Sequence, residues 1–121
     1  MSKRTKALGN WGEQRARKFL AQKKVLIIGQ NVNTDFGEID LVGLKEDLYI
    51  FFEIKTRKSR LYGFPEVSVD MKKQVRLIEA AQAYMNKNEI SIKNWRIDVI
   101  SISVYPNGKV EIKWFENAVS C

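Results

Sequence analysis

The run Leu48-Tyr49-Ile50-Phe51-Phe52-Glu53-Ile54-Lys55 constrains this chain more than any other segment. Its β-branched and aromatic residues read as a central strand. Upstream, the polar break Lys45-Glu46-Asp47 separates it from an alternating stretch, Glu38 to Leu44. Alternation predicts Ile39 and Leu41 on one face of that stretch and Glu38, Asp40 and Val42 on the other. The two segments are expected to pair as a hairpin.

The rest of the chain organises around this pair. Asn10 to about Lys23 reads as a helix, with Trp11, Gly12, Ala16, Phe19 and Leu20 on one side. Val25 to about Asn31 is a candidate strand, and Thr34-Asp35-Phe36-Gly37 a turn. Ser59 to Pro65 reads as a loop. Val69 to about Lys87 is a second helix, its predicted buried stripe being Met71, Val75, Ile78, Ala81 and Met85, with Lys72, Lys73 and Arg76 off that stripe. Trp95 to Val104 and Lys109 to Phe115 read as strands joined through Tyr105-Pro106-Asn107-Gly108, a hairpin signal. The order helix, three strands, helix, two strands predicts an α/β protein with one mixed sheet flanked by helices. With 121 residues, 45% of them hydrophobic, and no internal repeat, a single domain spanning 1–121 is expected.

Composition narrows the chemistry. The net charge of +7, from 21 basic and 14 acidic residues, favours a polyanionic partner, either nucleic acid or an acidic membrane surface. The apolar runs are far too short to span a bilayer, and the basic start, Met1 to Lys6, is not followed by an apolar signal segment. No membrane association and a cytoplasmic location are therefore expected. Histidine is absent, which excludes serine–histidine hydrolases, zincins and histidine general bases. The single cysteine, Cys121, forms neither an internal disulfide nor a cysteine zinc site, and reads as an incidental thiol.

What remains is carboxylates, lysines and a metal that they would hold. Asp40 precedes Glu53-Ile54-Lys55 by thirteen residues. Glu53 and Lys55 share a strand face. If the turn centres between Glu46 and Asp47, Asp40 falls opposite Glu53, their Cβ atoms ~5 Å apart. Two carboxylates at that distance repel by about 3 kcal/mol at an effective dielectric near 20. A divalent cation removes the repulsion. Asp40, Glu53 and the backbone carbonyl of Ile54 suit Mg²⁺ or Mn²⁺, with Lys55 orienting a water or stabilising charge on a phosphoryl transition state. The bland alternative is a solvated Glu-x-Lys ion pair. The chain also carries a second copy of the spacing, Asp98 before Glu111-Ile112-Lys113. There Asn107-Gly108 sets a late turn, which sends Asp98 toward Phe115 to Asn117 instead of Glu111.

Glu13 is a third candidate acid, close to the apolar stripe of the first helix. Either it joins the site, or it is a rim glutamate pairing with Arg17. Arg57 and Arg60, in a loop with Tyr62, are placed to reach a nucleic-acid backbone. Lys72, Lys73 and Arg76 form either a phosphate track or a solvated helix face. Trp11, Trp95 and Trp114 read as core or rim.

These residues resemble a known family. Gly12-Glu13, Gly37-Glu38-Ile39-Asp40-Leu41 and Phe52-Glu53-Ile54-Lys55-Thr56-Arg57 are similar to segments of the YraN-like proteins. So are Tyr62 to Glu66, Lys72 to Tyr84, Arg96 to Val99 and Trp114 to Ala118. These small bacterial proteins belong to the restriction-endonuclease-like superfamily and are similar to archaeal Holliday-junction resolvases. The resemblance implies a metal-dependent nuclease site with Glu13, Asp40, Glu53 and Lys55 in the catalytic positions. Where family members often carry an aromatic residue and an arginine, this chain has Val32 and Asn33, and Asp35 stands where a basic residue is common. The expected function is a Mg²⁺-dependent endonuclease on branched or structured DNA, with a symmetric homodimer as a compatible assembly. The rivals are a non-catalytic nucleic-acid-binding protein that retains the fold, and a protein–protein adaptor.

Overall fold

The computed structural model describes residues 3–59, 70–90 and 94–119. Arg60, Tyr62 to Glu66, Val69 and Cys121, all singled out above, lie outside the described residues. The elements are α1 (Lys3–Gln22), β1 (Leu26–Thr34), β2 (Gly37–Lys45), β3 (Leu48–Lys58), α2 (Met71–Lys87), β4 (Trp95–Val104) and β5 (Val110–Val119). They form one five-stranded sheet in the order β1-β2-β3-β4-β5. Only β3 and β4 are parallel; the other neighbours run antiparallel. A parallel pair cannot be closed by a tight turn, and α2 lies in the connection between β3 and β4. This is the predicted α/β class and element order, and it is consistent with a restriction-endonuclease-like fold.

Each helix covers one face of the sheet. Ala16 and Leu20 of α1 pack with Leu41, Ile50, Phe52, Ile100 and Ile102. Leu77, Ala80, Ala81 and Met85 of α2 pack with Ile39, Val42, Phe51, Ile97 and Val119. Phe51 and Phe52 thus point to opposite layers, and β3 is buried on both faces. Trp11 and Trp114 pack against the α1 layer and Trp95 against the α2 layer. Among the described residues no helix is long and apolar enough to cross a membrane.

The register follows from the turns. Glu46 and Asp47 form a two-residue connection between Lys45 and Leu48, with Glu46 at φ +56°. The ladder then runs back through Val42↔Phe51 to Leu41↔Phe52. At the other hairpin Gly108 takes φ +87° and donates to the Tyr105 carbonyl.

Three expectations need correction. Helix α1 begins at Lys3, seven residues before the predicted start. Ile39 and Leu41 do not share a layer: Ile39 packs on the α2 side and Leu41 on the α1 side. Strand β2 loses simple alternation across Asp40, where the ladder with β3 ends. The buried stripe of α2 is also turned. Met71 is 72% and Val75 45% exposed, whereas Leu77 and Ala80 are buried beside the correctly predicted Ala81 and Met85. Counting back one turn from Leu77 puts Lys73 on the inward stripe and not off it. A cation is tolerated there because an acid of the sheet meets it.

Candidate functional site

Helix α1 reaches the sheet at Gly12. A Cβ built on Gly12 would sit 1.8 Å from Oγ1 of Thr56 on β3, so only glycine allows this approach. The contact brings the next residue, Glu13, to the ends of β2 and β3. From β2 come Glu38 and Asp40. One carboxylate oxygen from each of Glu13, Glu38 and Asp40 lies within 4.8 Å of the others. Asn31, on the neighbouring strand β1, closes one side. Oriented with its nitrogen toward the acids, its amide donates to both oxygens of Glu13 at 3.2 and 3.1 Å and to Glu38 at 3.0 Å.

Asp40 is tied to β3. Its Oδ2 accepts the Ile54 amide at 2.8 Å, in place of the backbone partner that the ended ladder no longer supplies. In an extended strand the N–H and C=O of one residue point toward the same neighbour. The Ile54 carbonyl is therefore directed to the Asp40 side as well. The ladder ends at Leu41↔Phe52, one residue short of the Asp40–Glu53 pairing expected from the turn, and Asp40 meets β3 through its side chain instead.

Glu53 is buried and does not belong to the three-acid group; its Oε1 lies 2.7 Å from Nζ of Lys73 on α2. Lys55, two residues on, is on the same strand face and half-buried. The electrostatics record the crowding. Burial, then the charge of Glu53, pushes the Asp40 carboxyl up from 3.8 to about 7, against the lowering effect of the Ile54 amide. Burial also raises Glu13, opposed by its hydrogen bond to Asn31 and reinforced by Glu38. Arg17 lowers Glu13 through space, but its guanidinium donates to Gln30 at 2.8 Å.

The predicted site residues separate into groups. Glu13 and Asp40 converge, with Glu53, Ile54 and Lys55 adjacent on β3. Glu38 was missed as a ligand, although its two-residue spacing from Asp40 on one strand was visible. Lys73 is engaged with Glu53, and the Arg76 chain lies against the β1–β2 turn, its Cδ 3.1 Å from where a Cβ on Gly37 would be. Lys72 and Arg57 are exposed. The second copy of the spacing behaves as its turn predicted. Asp98 is 0% exposed and accepts from Arg96 Nε, Trp114 Nε1 and the Asn117 amide, while Glu111 pairs across the strands with Ser103. It is a satisfied core carboxylate.

All donors of the acidic group are carboxylate oxygens, the set preferred by Mg²⁺ and Mn²⁺. Three acids with oxygens within 4.8 Å of one another, one of them raised by burial and by Glu53, fit a divalent cation.

Comparison with known proteins gives the family. The family model described as "Uncharacterised protein family UPF0102" matches residues 12–102, which include Glu13, Asp40, Glu53 and Lys55. The chain is similar to a UPF0102 protein of Dictyoglomus turgidum, 35% identical over 109 residues, covering 90% of this chain and 92% of that one. A UPF0102 protein of Clostridium perfringens is 34% identical over 119 residues, 98% of each chain. One from Marinobacter nauticus is 36% identical over 115 residues, 95% of this chain and 94% of its own. With the match extending over most of the sequence and through both halves of the acidic site, the chain belongs to the UPF0102 family.

Proposed function

We propose that this protein is a Mg²⁺- or Mn²⁺-dependent endonuclease acting on branched or otherwise structured DNA. The observation that carries the reading is the meeting of Glu13, Glu38 and Asp40 beside the Glu53-Ile54-Lys55 strand. Asp40, Glu13 and Glu38 would hold the cation, with Glu53 and the Ile54 carbonyl as further oxygen donors. Such an ion supplies Lewis acidity to a phosphoryl oxygen and acidity to a bound water.

The chain's own groups do the rest. Lys55, two residues from Glu53 on the same strand, would orient a water and offset charge building on the phosphate. Asn31 holds Glu13 and Glu38 together. Arg57, beyond Lys55 on β3, and Lys72 on α2 offer cations to flanking phosphates. The net charge of +7 favours the approach of a polyanion.

The test is cleavage of a synthetic four-way DNA junction with Mg²⁺ or Mn²⁺, comparing wild type with Asp40→Ala and Lys55→Ala. Metal-dependent product in wild type alone is the expected result. Equal product from all three removes the assigned roles. Salt-sensitive junction binding with no product under any metal would favour a non-catalytic nucleic-acid-binding protein.

A further inference from the structure

Lys73 occupies the inward stripe of α2, one turn before Leu77, and its Nζ lies 2.7 Å from Oε1 of Glu53. The pair is asymmetric. The Glu53 side chain is 10% exposed and fixed on a central strand, whereas that of Lys73 is 44% exposed on a flexible stem near the helix start. The acid has little room to move, and the ammonium can swing into solvent. Glu53 is also the strand neighbour of Ile54, whose amide Asp40 accepts, yet it stands outside the three-acid group.

We propose that Lys73 is a positioning residue that acts as an exchangeable counter-ion. It neutralises Glu53 while the site lacks a metal, yields that carboxylate when a divalent cation takes it, and then offers its ammonium to a nucleic-acid phosphate. This rests on the metal-dependent reading above and adds a coupling to it. One ion pair makes metal and nucleic acid bind cooperatively, each strengthening the other by the same factor. The driving force is electrostatic. A divalent ion facing several carboxylates outcompetes one ammonium held by a single acid, and a lysine released beside the site is a mobile point charge suited to phosphate.

The test measures binding, not turnover. Mn²⁺ affinity is read by calorimetry and electron paramagnetic resonance on the full chain without DNA. Affinity for a labelled four-way junction is read with and without Ca²⁺. Lys73→Met should bind Mn²⁺ about fivefold or more tighter than wild type, and should lose most of the metal-dependent gain in junction affinity. Lys73→Arg should restore that gain. Glu53→Gln with Lys73 intact should raise metal-free junction affinity about threefold, and Glu53→Gln/Lys73→Met should abolish the rise. If Lys73→Met does not fold, this second pair decides. Unchanged Mn²⁺ affinity and undiminished coupling in Lys73→Met would overturn the inference, as would a Glu53→Gln gain that persists in the double variant. Wild type that binds no Mn²⁺ at all removes both this inference and the metal-dependent reading. Wild type that binds Mn²⁺ while Lys73→Met is indifferent removes this inference alone.

Discussion

Asp40 receives the amide of Ile54 at 2.8 Å, the residue between Glu53 and Lys55, and so clamps β2 to the Glu-x-Lys strand where their backbone ladder ends. The bond needs only an acceptor oxygen, which asparagine also supplies. The negative charge is a separate matter, since burial and Glu53 disfavour it. Asp40→Asn should therefore keep the fold and raise metal-free stability at about pH 8 by about 1–2 kcal/mol. Junction cleavage should fall at least about 100-fold, because a neutral amide is a poor ligand for Mg²⁺. Denaturant unfolding in EDTA and a cleavage assay test the two halves. A variant that is less stable and still active contradicts both.

The same acid sets a pH dependence. Its folded value of about 7 lies above the ordinary 3.8, so the folded chain holds this proton more tightly than the unfolded one. The sign follows: metal-free stability from Asp40 is intact below about pH 4 and declines as pH rises through about 7, by at most about 4 kcal/mol. Glu13, also raised, contributes in the same direction. Unfolding of wild type relative to Asp40→Asn across about pH 5 to 8 isolates the effect. Mn²⁺ binds the ionised form, so its stabilisation should grow over the same range. A wild-type difference that stays flat or rises with pH in EDTA would contradict the burial argument.

Gly12 fixes how closely α1 approaches the sheet. Gly12→Ala places a methyl group on Thr56, backbone-anchored and unable to retreat as a long side chain would. Overpacking of this kind costs about 1–3 kcal/mol. Glu13 moves with the helix, so Mn²⁺ affinity should fall as well. Gly12→Ala/Thr56→Ala removes the hydroxyl and the methyl group that the new Cβ would meet and should recover part of both losses. Thermal unfolding and Mn²⁺ titration on the pair of variants measure this.

The parts of the site carried by strand turns were legible in the sequence. A two-residue break at Glu46-Asp47 sets the pairing back to Leu41↔Phe52 and so brings Asp40 beside the Glu53-Ile54 segment, and Asn107-Gly108 determines that Asp98 misses Glu111. Both follow from counting. What escaped depends on tertiary packing. Lys73 turns toward the sheet although periodicity favoured Met71 and Val75, because its half-exposed stem lets the ammonium meet the buried Glu53 while staying in touch with water. Ile39 and Leu41 go to different layers because β2 leaves its ladder at Asp40, and no propensity marks that point. Glu38 was visible on the strand, but its meeting with Glu13 needs the approach of α1 at Gly12, which no local pattern specifies.

Asp98 and Asp40 are both followed thirteen residues later by Glu-Ile-Lys, and their variants should behave in opposite ways. Asp98 is 0% exposed, and its oxygens take hydrogen bonds from Arg96, the Trp114 indole and the Asn117 amide. These donors come from β4 itself and from β5, across a register shift in the ladder between Ile97 and Val99. Asp98→Ala leaves the Trp114 indole and the Asn117 amide without their buried acceptor and reduces Arg96, which is partly exposed, to its longer contact with Glu116, a change worth about 2–4 kcal/mol. Asp98→Asn retains acceptor capacity at one oxygen and should cost less. Neither substitution removes an oxygen from the Glu13–Glu38–Asp40 group. Whatever fraction of Asp98→Asn remains folded should therefore bind Mn²⁺ with wild-type affinity, whereas Asp40→Asn should be well folded and bind Mn²⁺ poorly. Chemical denaturation and calorimetry on the two asparagine variants make the comparison. If Asp98→Asn loses Mn²⁺ affinity while keeping its stability, the assignment of one acid to the core and the other to the site is reversed.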